Sequence, residues 1–426
     1  MKESNVLQAV IMAGGKGTRL QSITGDLIPK PMVPVEGKPL LLWQIKNLKE
    51  NGIKNFIFVI GHLGHVIREY FSDGSEYGVQ IIYYEEKEPL GTAGALYELM
   101  DQLEEQFYLV FGDILFDVDL NRMQRFHCNK NAAVTLFVHP NTHPEDSDLV
   151  VLDNEEKVIQ IDRKNRERKG WYHNCVNAGL YIFSKKALLG VTKRGNVDLE
   201  RDVLSTLCRC KVPVYAYKST EYVRDIGTME RINEAVKDLQ NGYVVARNLR
   251  KQQRAIFCER DCLLSNYDTA CGTKHIEITA GASEAVKRIN QSEYLLILTV
   301  GRPLTKQQRM SNIEQQINCQ LETLLGKEGA FADEICMQNS FEKEDMRFVS
   351  EIIARYNINC KESWMIVQSA DQLFLGEQAG FHMALVSKKE KYHSALYNNT
   401  FCIKQEMMID VVEHIMMNNN KKLNKD

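Results

Sequence analysis

The sequence predicts an α/β protein of two domains, the first built on a mostly parallel sheet. Three observations carry this expectation. Short apolar runs alternate with helix-period segments from Val6 to Leu103, a glycine-rich turn follows the first run, and the alternation restarts after a polar stretch at 240–253. A chain of 426 residues also exceeds one ordinary core of roughly 100 to 200 residues. Hydrophobic residues at 44% and charged residues at 26% fit a globular protein and exclude collagen-like, coiled-coil and largely disordered classes.

Lys and Arg number 53 against 56 Asp and Glu, a formal net charge of -3, and no segment gathers the cations into a stripe. A nucleic-acid partner is therefore not expected. The longest apolar runs, such as Leu40 to Trp43 and Tyr294 to Val300, fall far below the roughly 18 residues of a membrane span. Met1 to Asn5 lead straight into a strand-like Val6 to Ile11, without room for a leader, and the eleven cysteines show no paired CxxC spacing. Reduced thiols and a cytoplasmic location are the expectation. Cys208 and Cys210 are the closest pair, and no second pair completes a metal site.

Strands are expected at Val6 to Met12, Asn55 to Gly61, Val79 to Glu85 and Phe107 to Phe111, with helices at Pro39 to Asn51, Leu63 to Phe71 and Thr92 to Leu103. These are βαβ units, which imply parallel strands covered on both faces. After Asn131 the chain becomes strand-rich, at Ala132 to His139, Asp148 to Asp153, Lys157 to Asp162 and Val176 to Phe183, before a helix near Leu199 to Cys208. An antiparallel insertion beside the main sheet would account for the change. A helix at Met229 to Leu239 closes the first domain, 1–240.

The second domain, 254–417, reads as strand Ala255 to Cys258, helix Ser283 to Ile289, strand Tyr294 to Thr299, helices Gln307 to Leu325 and Glu344 to Tyr356, and strands Trp364 to Gln368 and His382 to Val386. The polar tail 418–426 is expected to fray.

The chemistry begins at Gly14-Gly15-Lys16-Gly17-Thr18-Arg19-Leu20, directly after the first strand. Glycines let backbone N–H groups approach a phosphate, and Arg19 offers a charge-assisted fork. The spacing fits neither the dinucleotide GxGxxG nor the P-loop. In Pro29-Lys30-Pro31-Met32 the prolines stiffen the segment around a cation, as charge stabilisation in phosphoryl or nucleotidyl transfer requires.

These two elements resemble the signature of the sugar-phosphate nucleotidyltransferases, the NDP-sugar pyrophosphorylases. Glu88 to Gly94, Phe111-Gly112-Asp113, Val176 to Gly179 and Val223 to Thr228 follow in that family's order, over roughly residues 5–240. The resemblance implies a Rossmann-like domain that transfers a nucleoside monophosphate from an NTP to a sugar 1-phosphate for surface polysaccharide precursors, with Mg²⁺ and release of pyrophosphate.

It also implies roles for individual residues. Arg19, Lys30 and Asp113 would be catalytic, and Asp113 with Asp225 would hold the metal. Gly14, Gly15, Gly17, Thr18, Gly91, Thr92, Ala93 and Gly112 would bind the nucleotide, and Lys164, Asn177, Gly179 and Glu200 the sugar phosphate. Around Lys164 the family's Glu-Lys-Pro is replaced by Asp162-Arg163-Lys164-Asn165.

Asp117-Val118-Asp119 looks like a DxD metal motif but precedes a helix, so it reads as a loop and helix cap. His139 and His143 sit beside prolines and read as loop residues. Within the family, the stretch from His139 to Asp148 and the Asn177 to Gly179 region look most like guanylyltransferases for heptose or mannose 1-phosphates, so GTP is the favoured partner.

The second domain resembles the haloacid dehalogenase superfamily, specifically the histidinol-phosphate and heptose-bisphosphate phosphatases. Ile256 to Leu263 would be the first motif, with Glu259 where that family has its nucleophilic Asp. A glutamate sets the carboxylate one methylene too far, which can cost roughly 100-fold. Thr299 fits the second motif, but Gln368 and Ser369 stand where acidic metal ligands belong, and Cys336 is at most a remnant of the zinc-binding cysteines. The expectation is an inactive phosphatase domain kept for packing, regulation or assembly into a homo-oligomer. The rival readings are a bifunctional transferase and phosphatase, and a non-catalytic nucleotide-sugar sensor. Arg19, Lys30, Asp113 and Asp225 weigh against the sensor, which needs no paired metal carboxylates.

Overall fold

The computed structural model describes residues 6–15, 25–164, 168, 170–191, 194–266, 276–300, 313–337, 347–369, 373–386, 402–405 and 407–423. Arg19, Gly17 and Thr18 lie outside the described residues. The strands in chain order are β1 Gln8–Met12, β2 Pro34–Val35, β3 Lys38–Pro39, β4 Asn55–Ile60, β5 Gln80–Glu85, β6 Gln106–Phe111, β7 Ile114–Asp117, β8 Val134–His139, β9 Leu149–Leu152, β10 Val158–Asp162, β11 Val176–Ser184, β12 Val214–Lys218 and β13 Tyr222–Asp225. They continue as β14 Arg254–Glu259, β15 Leu264–Asn266, β16 Glu277–Ile278, β17 Tyr294–Val300, β18 Glu334–Met337, β19 Trp364–Val367, β20 His382–Val386 and β21 Cys402–Gln405.

The chain forms two compact units. The first comprises Met1–His139, Asp148–Arg163 and Cys175–Asn248, and the second Pro140–Ser147, Lys164–Asn174 and Leu249–Asp426. The first unit thus runs past the expected end at residue 240, and two internal segments of the N-terminal half belong to the second unit.

In the first unit one nine-stranded sheet runs β10-β9-β11-β6-β1-β4-β5, with β8 beside β11 and β12 beside β8. β1, β4, β5 and β6 are parallel, as the βαβ alternation implies. The strand-rich segment extends this sheet instead of lying beside it, because β11 pairs antiparallel with β6. Successive residues alternate between two cores: Val10, Ile57, Val59, Phe107 and Leu109 face one, and Ala9, Ile11, Phe56, Phe58, Tyr108 and Val110 the other. Burial on both faces is why these strands read as unbroken apolar runs.

Helices Leu40–Glu50, Gly64–Phe71 and Met229–Gln240 match their expected positions, whereas the one expected from Thr92 covers only Gly94–Glu98. Asp117 ends β7, and Asp119 caps helix Leu120–Asn129 by accepting from Asn121 N at 3.2 Å. That outcome agrees with the cap reading of the DxD-like triplet.

In the second unit a parallel six-stranded sheet runs β18-β17-β14-β19-β20-β21. Ile256, Cys258, Leu296, Leu298 and Ile366 line one face, and Ala255, Phe257, Leu295, Ile297 and Met365 the other. Helix Ile313–Lys327 carries Cys319, Thr323 and Gly326 on one face, and these small residues admit close neighbours. A Cβ on Gly326 would stand 2.6 Å from Pro144 Cγ, and Tyr172 N donates to Thr323 Oγ1 at 2.9 Å. The polar tail is partly structured: helix Met408–Leu423 continues through its first residues. No helix among the described residues is long and apolar enough to cross a membrane.

Candidate active site

The carboxyl ends of β1, β4, β5 and β6 share one edge of the first unit's sheet, the place where open α/β sheets bind ligands. They lead into Gly14-Gly15, Gly61, Glu86 and Gly112-Asp113 respectively. A Cβ on Gly14 would lie 2.4 Å from Glu86 Oε2, and one on Gly112 would lie 2.9 Å from Met12 O and 3.1 Å from Pro31 Cγ. At Gly112 backbone therefore comes as close as only glycine permits, while Gly14 lies against the Glu86 carboxylate. A Cβ on Gly15 would meet nothing within 4 Å, so its surroundings are open.

Lys30 begins the tight turn Lys30–Met32, whose preceding Pro29 holds φ at -70°. Its Nζ donates to Asp113 Oδ2 at 2.5 Å, bringing together two catalytic candidates far apart in sequence. Asp113 and Asp225 are neighbours across the β7–β13 ribbon: Asp225 pairs with Ile114, and Ile226 N donates to Asp113 O at 2.7 Å. Asp225 is ion-paired with Arg231. Each carboxylate therefore faces a cation.

Because β11 runs antiparallel to β6, its first residues lie at the same edge, and Leu180 pairs with Val110. Gly179 adopts φ +79° where the β8 register shifts between Asn177 and Tyr181, and a Cβ there would press within 3.1 Å of Phe111. Asn177 Nδ2 donates to the Tyr181 hydroxyl at 2.7 Å, and that hydroxyl donates to Glu200 Oε1 at 3.1 Å. Asn177 Oδ1 is buried without a hydrogen-bond partner, an acceptor of the kind a sugar hydroxyl would satisfy. Glu200 is buried in the π-helical turn Leu199–Leu204, and burial, reinforced by Asp198 and Asp148, pushes its carboxyl up to about 7.

The Gly91 turn joins this group. Gly91 has φ +78°, and a Cβ on it would fall 2.5 Å from Val197 O. Ala93 N donates to that carbonyl at 2.9 Å, while Thr92 Oγ1 accepts from Leu199 N at 2.7 Å. The Thr92 side chain thus anchors the turn bearing Glu200. Lys164 is exposed and clusters with the second unit.

Glu86, which sequence reasoning did not single out, stands at the same edge. Its Oε1 accepts from Leu90 N at 3.3 Å, and burial raises its carboxyl above the usual range. Its one sequence signal is its place directly after the strand Val79 to Glu85 and just before Glu88 to Gly94. Among the described residues no cluster of three or more His, Cys, Asp or Glu side chains could hold a metal.

The family model for the nucleotidyl transferases matches residues 8–242, more than half of the chain. The chain belongs to the nucleotidyl transferase family. A D-glycero-alpha-D-manno-heptose 1-phosphate guanylyltransferase of Campylobacter jejuni is 36% identical over 224 residues, spanning 53% of this chain and 96% of that protein. A mannose-1-phosphate guanylyltransferase of Mycobacterium tuberculosis is 33% identical over 248 residues, spanning 57% of this chain and 67% of that protein. A UTP--glucose-1-phosphate uridylyltransferase of Synechocystis is 28% identical over 286 residues, spanning 64% and 72%. Membership of this transferase family makes the chain an enzyme, and the matched span contains every transferase site residue proposed from the sequence.

Proposed function

We propose that the chain transfers a nucleoside monophosphate, GMP from GTP, to the 1-phosphate of a heptose or mannose-type sugar and releases pyrophosphate. The observation that carries this is a cation–carboxylate pair, Lys30 with Asp113, at the strand edge where the Asn177–Tyr181–Glu200 network also lies. One part would handle phosphates and the other sugar hydroxyls. The guanylyltransferase relatives support the same choice.

Glu86 favours guanine on chemical grounds. Guanine presents adjacent N1–H and N2–H donors that match a carboxylate's two oxygens, whereas uracil flanks its one donor with acceptors. Glycine N–H groups would cradle the triphosphate, and Lys30 would neutralise charge as a sugar phosphate oxygen attacks the α-phosphorus in line. Asp113 and Asp225 would hold Mg²⁺: both offer hard oxygen donors, and both already face cationic groups. Bound there, the ion supplies charge stabilisation to the leaving pyrophosphate.

A pyrophosphate-release screen of four NTPs against heptose, mannose and glucose 1-phosphates tests the assignment. GTP with heptose or mannose 1-phosphate should give the highest kcat/KM, and Asp113→Asn should lower it at least about 100-fold with the fold intact. Preference for another NTP would overturn the guanine reading. Unchanged Mg²⁺-dependent turnover in Asp113→Asn would overturn the role of Asp113.

For the second unit we propose an inactive haloacid-dehalogenase-like domain. Glu259 at the end of β14 accepts from Gln368 N at 2.7 Å, and the neighbouring Arg260 is buried against Glu314 at 2.7 Å and Asn318 at 2.8 Å. These are internal structural bonds in the place where a phosphatase would need a nucleophile and a metal. No orthophosphate should be released from heptose 1,7-bisphosphate or histidinol phosphate, and release abolished by Asp261→Ala would reverse this reading.

A further inference from the structure

Within the second unit, a thiol, an imidazole and a carboxylate stand in line. His173 Nε2 lies 3.0 Å from Cys319 Sγ, and His173 Nδ1 lies 2.5 Å from Glu322 Oε2. Cys319 and Glu322 share a face of helix Ile313–Lys327, being three residues apart. The histidine is held over that face by the Tyr172–Thr323 bond, and Thr323 Oγ1 is itself tied to Cys319 O at 2.7 Å.

The two partners occupy opposite nitrogens of one ring, so a single metal ion could not bind all three groups. The order instead matches a nucleophile, a base and the group that orients the base. Cys319 is half-buried and the His173 side chain is 54% exposed, which leaves the sulfur within reach of a small reagent. Burial pushes the His173 imidazole down, but its hydrogen bonds to Cys319 and Glu322 outweigh that and raise it to about 10.

We propose that Cys319, His173 and Glu322 form a reactive-thiol site at which Cys319 undergoes reversible exchange with a low-molecular-weight disulfide. With the proton they share resting on His173 Nε2, the Cys319 sulfur attacks one sulfur of the disulfide. A new S–S bond to Cys319 forms as the old one breaks, and the departing thiolate takes the proton from His173. Cys319 is oxidised and the departing sulfur is reduced, so no further oxidant is needed. A small thiol reverses the step. The adduct would occupy the helix face that His173 covers, so exchange would release the 171–173 segment from its seat.

The test uses the full-length protein, iodoacetamide and oxidised glutathione, with peptide mass spectrometry. Cys128 and Cys210, both exposed, serve as reference thiols, and buried Cys258 reports folding. At pH 7 Cys319 should alkylate about ten-fold or more faster than either reference and gain a glutathione adduct that dithiothreitol removes. His173→Gln should bring Cys319 to the reference rate, and Glu322→Gln should slow it. If Cys258 becomes reactive in His173→Gln, that variant has lost its fold and Glu322→Gln decides. Cys319 reacting no faster than Cys128 and Cys210 in the native protein, or unaffected in the folded variants, would overturn the proposal.

Discussion

Burial pushes the Glu200 carboxyl up to about 7, while the Tyr181 hydroxyl favours its charged form. If the carboxylate accepts sugar hydroxyls, kcat/KM for the sugar 1-phosphate should fall as pH drops through 7. Removing the hydroxyl in Tyr181→Phe withdraws support from the anion, so this acid limb should move to higher pH. The sugar phosphate's own ionisation, near 6, acts equally on both proteins, and the difference between their profiles isolates Glu200. Identical profiles for the two proteins would remove Glu200 from sugar recognition. The separate positions of Lys30, Asp113, Asn177 and Glu200 were legible in the sequence because motif order survives in a linear chain. The Asn177–Tyr181–Glu200 bonding was not, since Tyr181 reads as one more apolar residue of β11.

At the scale of elements, the π-helical turn Leu199–Leu204 depends on Thr92, whose hydroxyl oxygen receives the Leu199 N–H. Thr92→Val keeps the shape and removes the acceptor, leaving a buried donor unsatisfied at a cost of about 1–3 kcal/mol. We expect a thermal midpoint lower by several degrees, faster hydrogen exchange over residues 198–204, and a raised KM for sugar 1-phosphate with a smaller change in KM for the NTP. A rise confined to the NTP would instead give Thr92 a direct nucleotide role. The long strands were readable because double-faced burial writes them as apolar runs. β7, β12 and β13 were not, because each is short and mixes polar with apolar residues. The helix expected from Thr92 covers only Gly94–Glu98, and beyond it Gln102 N turns back to Leu99 O, three residues earlier, a bend without a glycine or proline to announce it.

At the scale of the whole molecule, Pro140–Ser147 and Lys164–Asn174 find their partners among residues after 248. A chain ending at Asn248 should keep the nine-stranded sheet, yet its 140–147 and 164–174 amides should exchange as if unstructured. Equal protection in the short and full-length chains would show that these segments order themselves. Their partnership left no trace in local periodicity, since the matching signal is a row of small residues, Cys319, Thr323 and Gly326, on a distant helix. That wiring also bears on how the protein is made. At roughly 5–20 residues per second, the ribosome needs about 8 to 30 s to pass from residue 174 to residue 327, so both segments emerge well before the helix that receives them is complete. During that interval they lack the helix face that seats them, and chaperones or proteases would meet them there. Helix Ile313–Lys327, made well after these segments, is thus needed to finish a part of the molecule that left the exit tunnel before it.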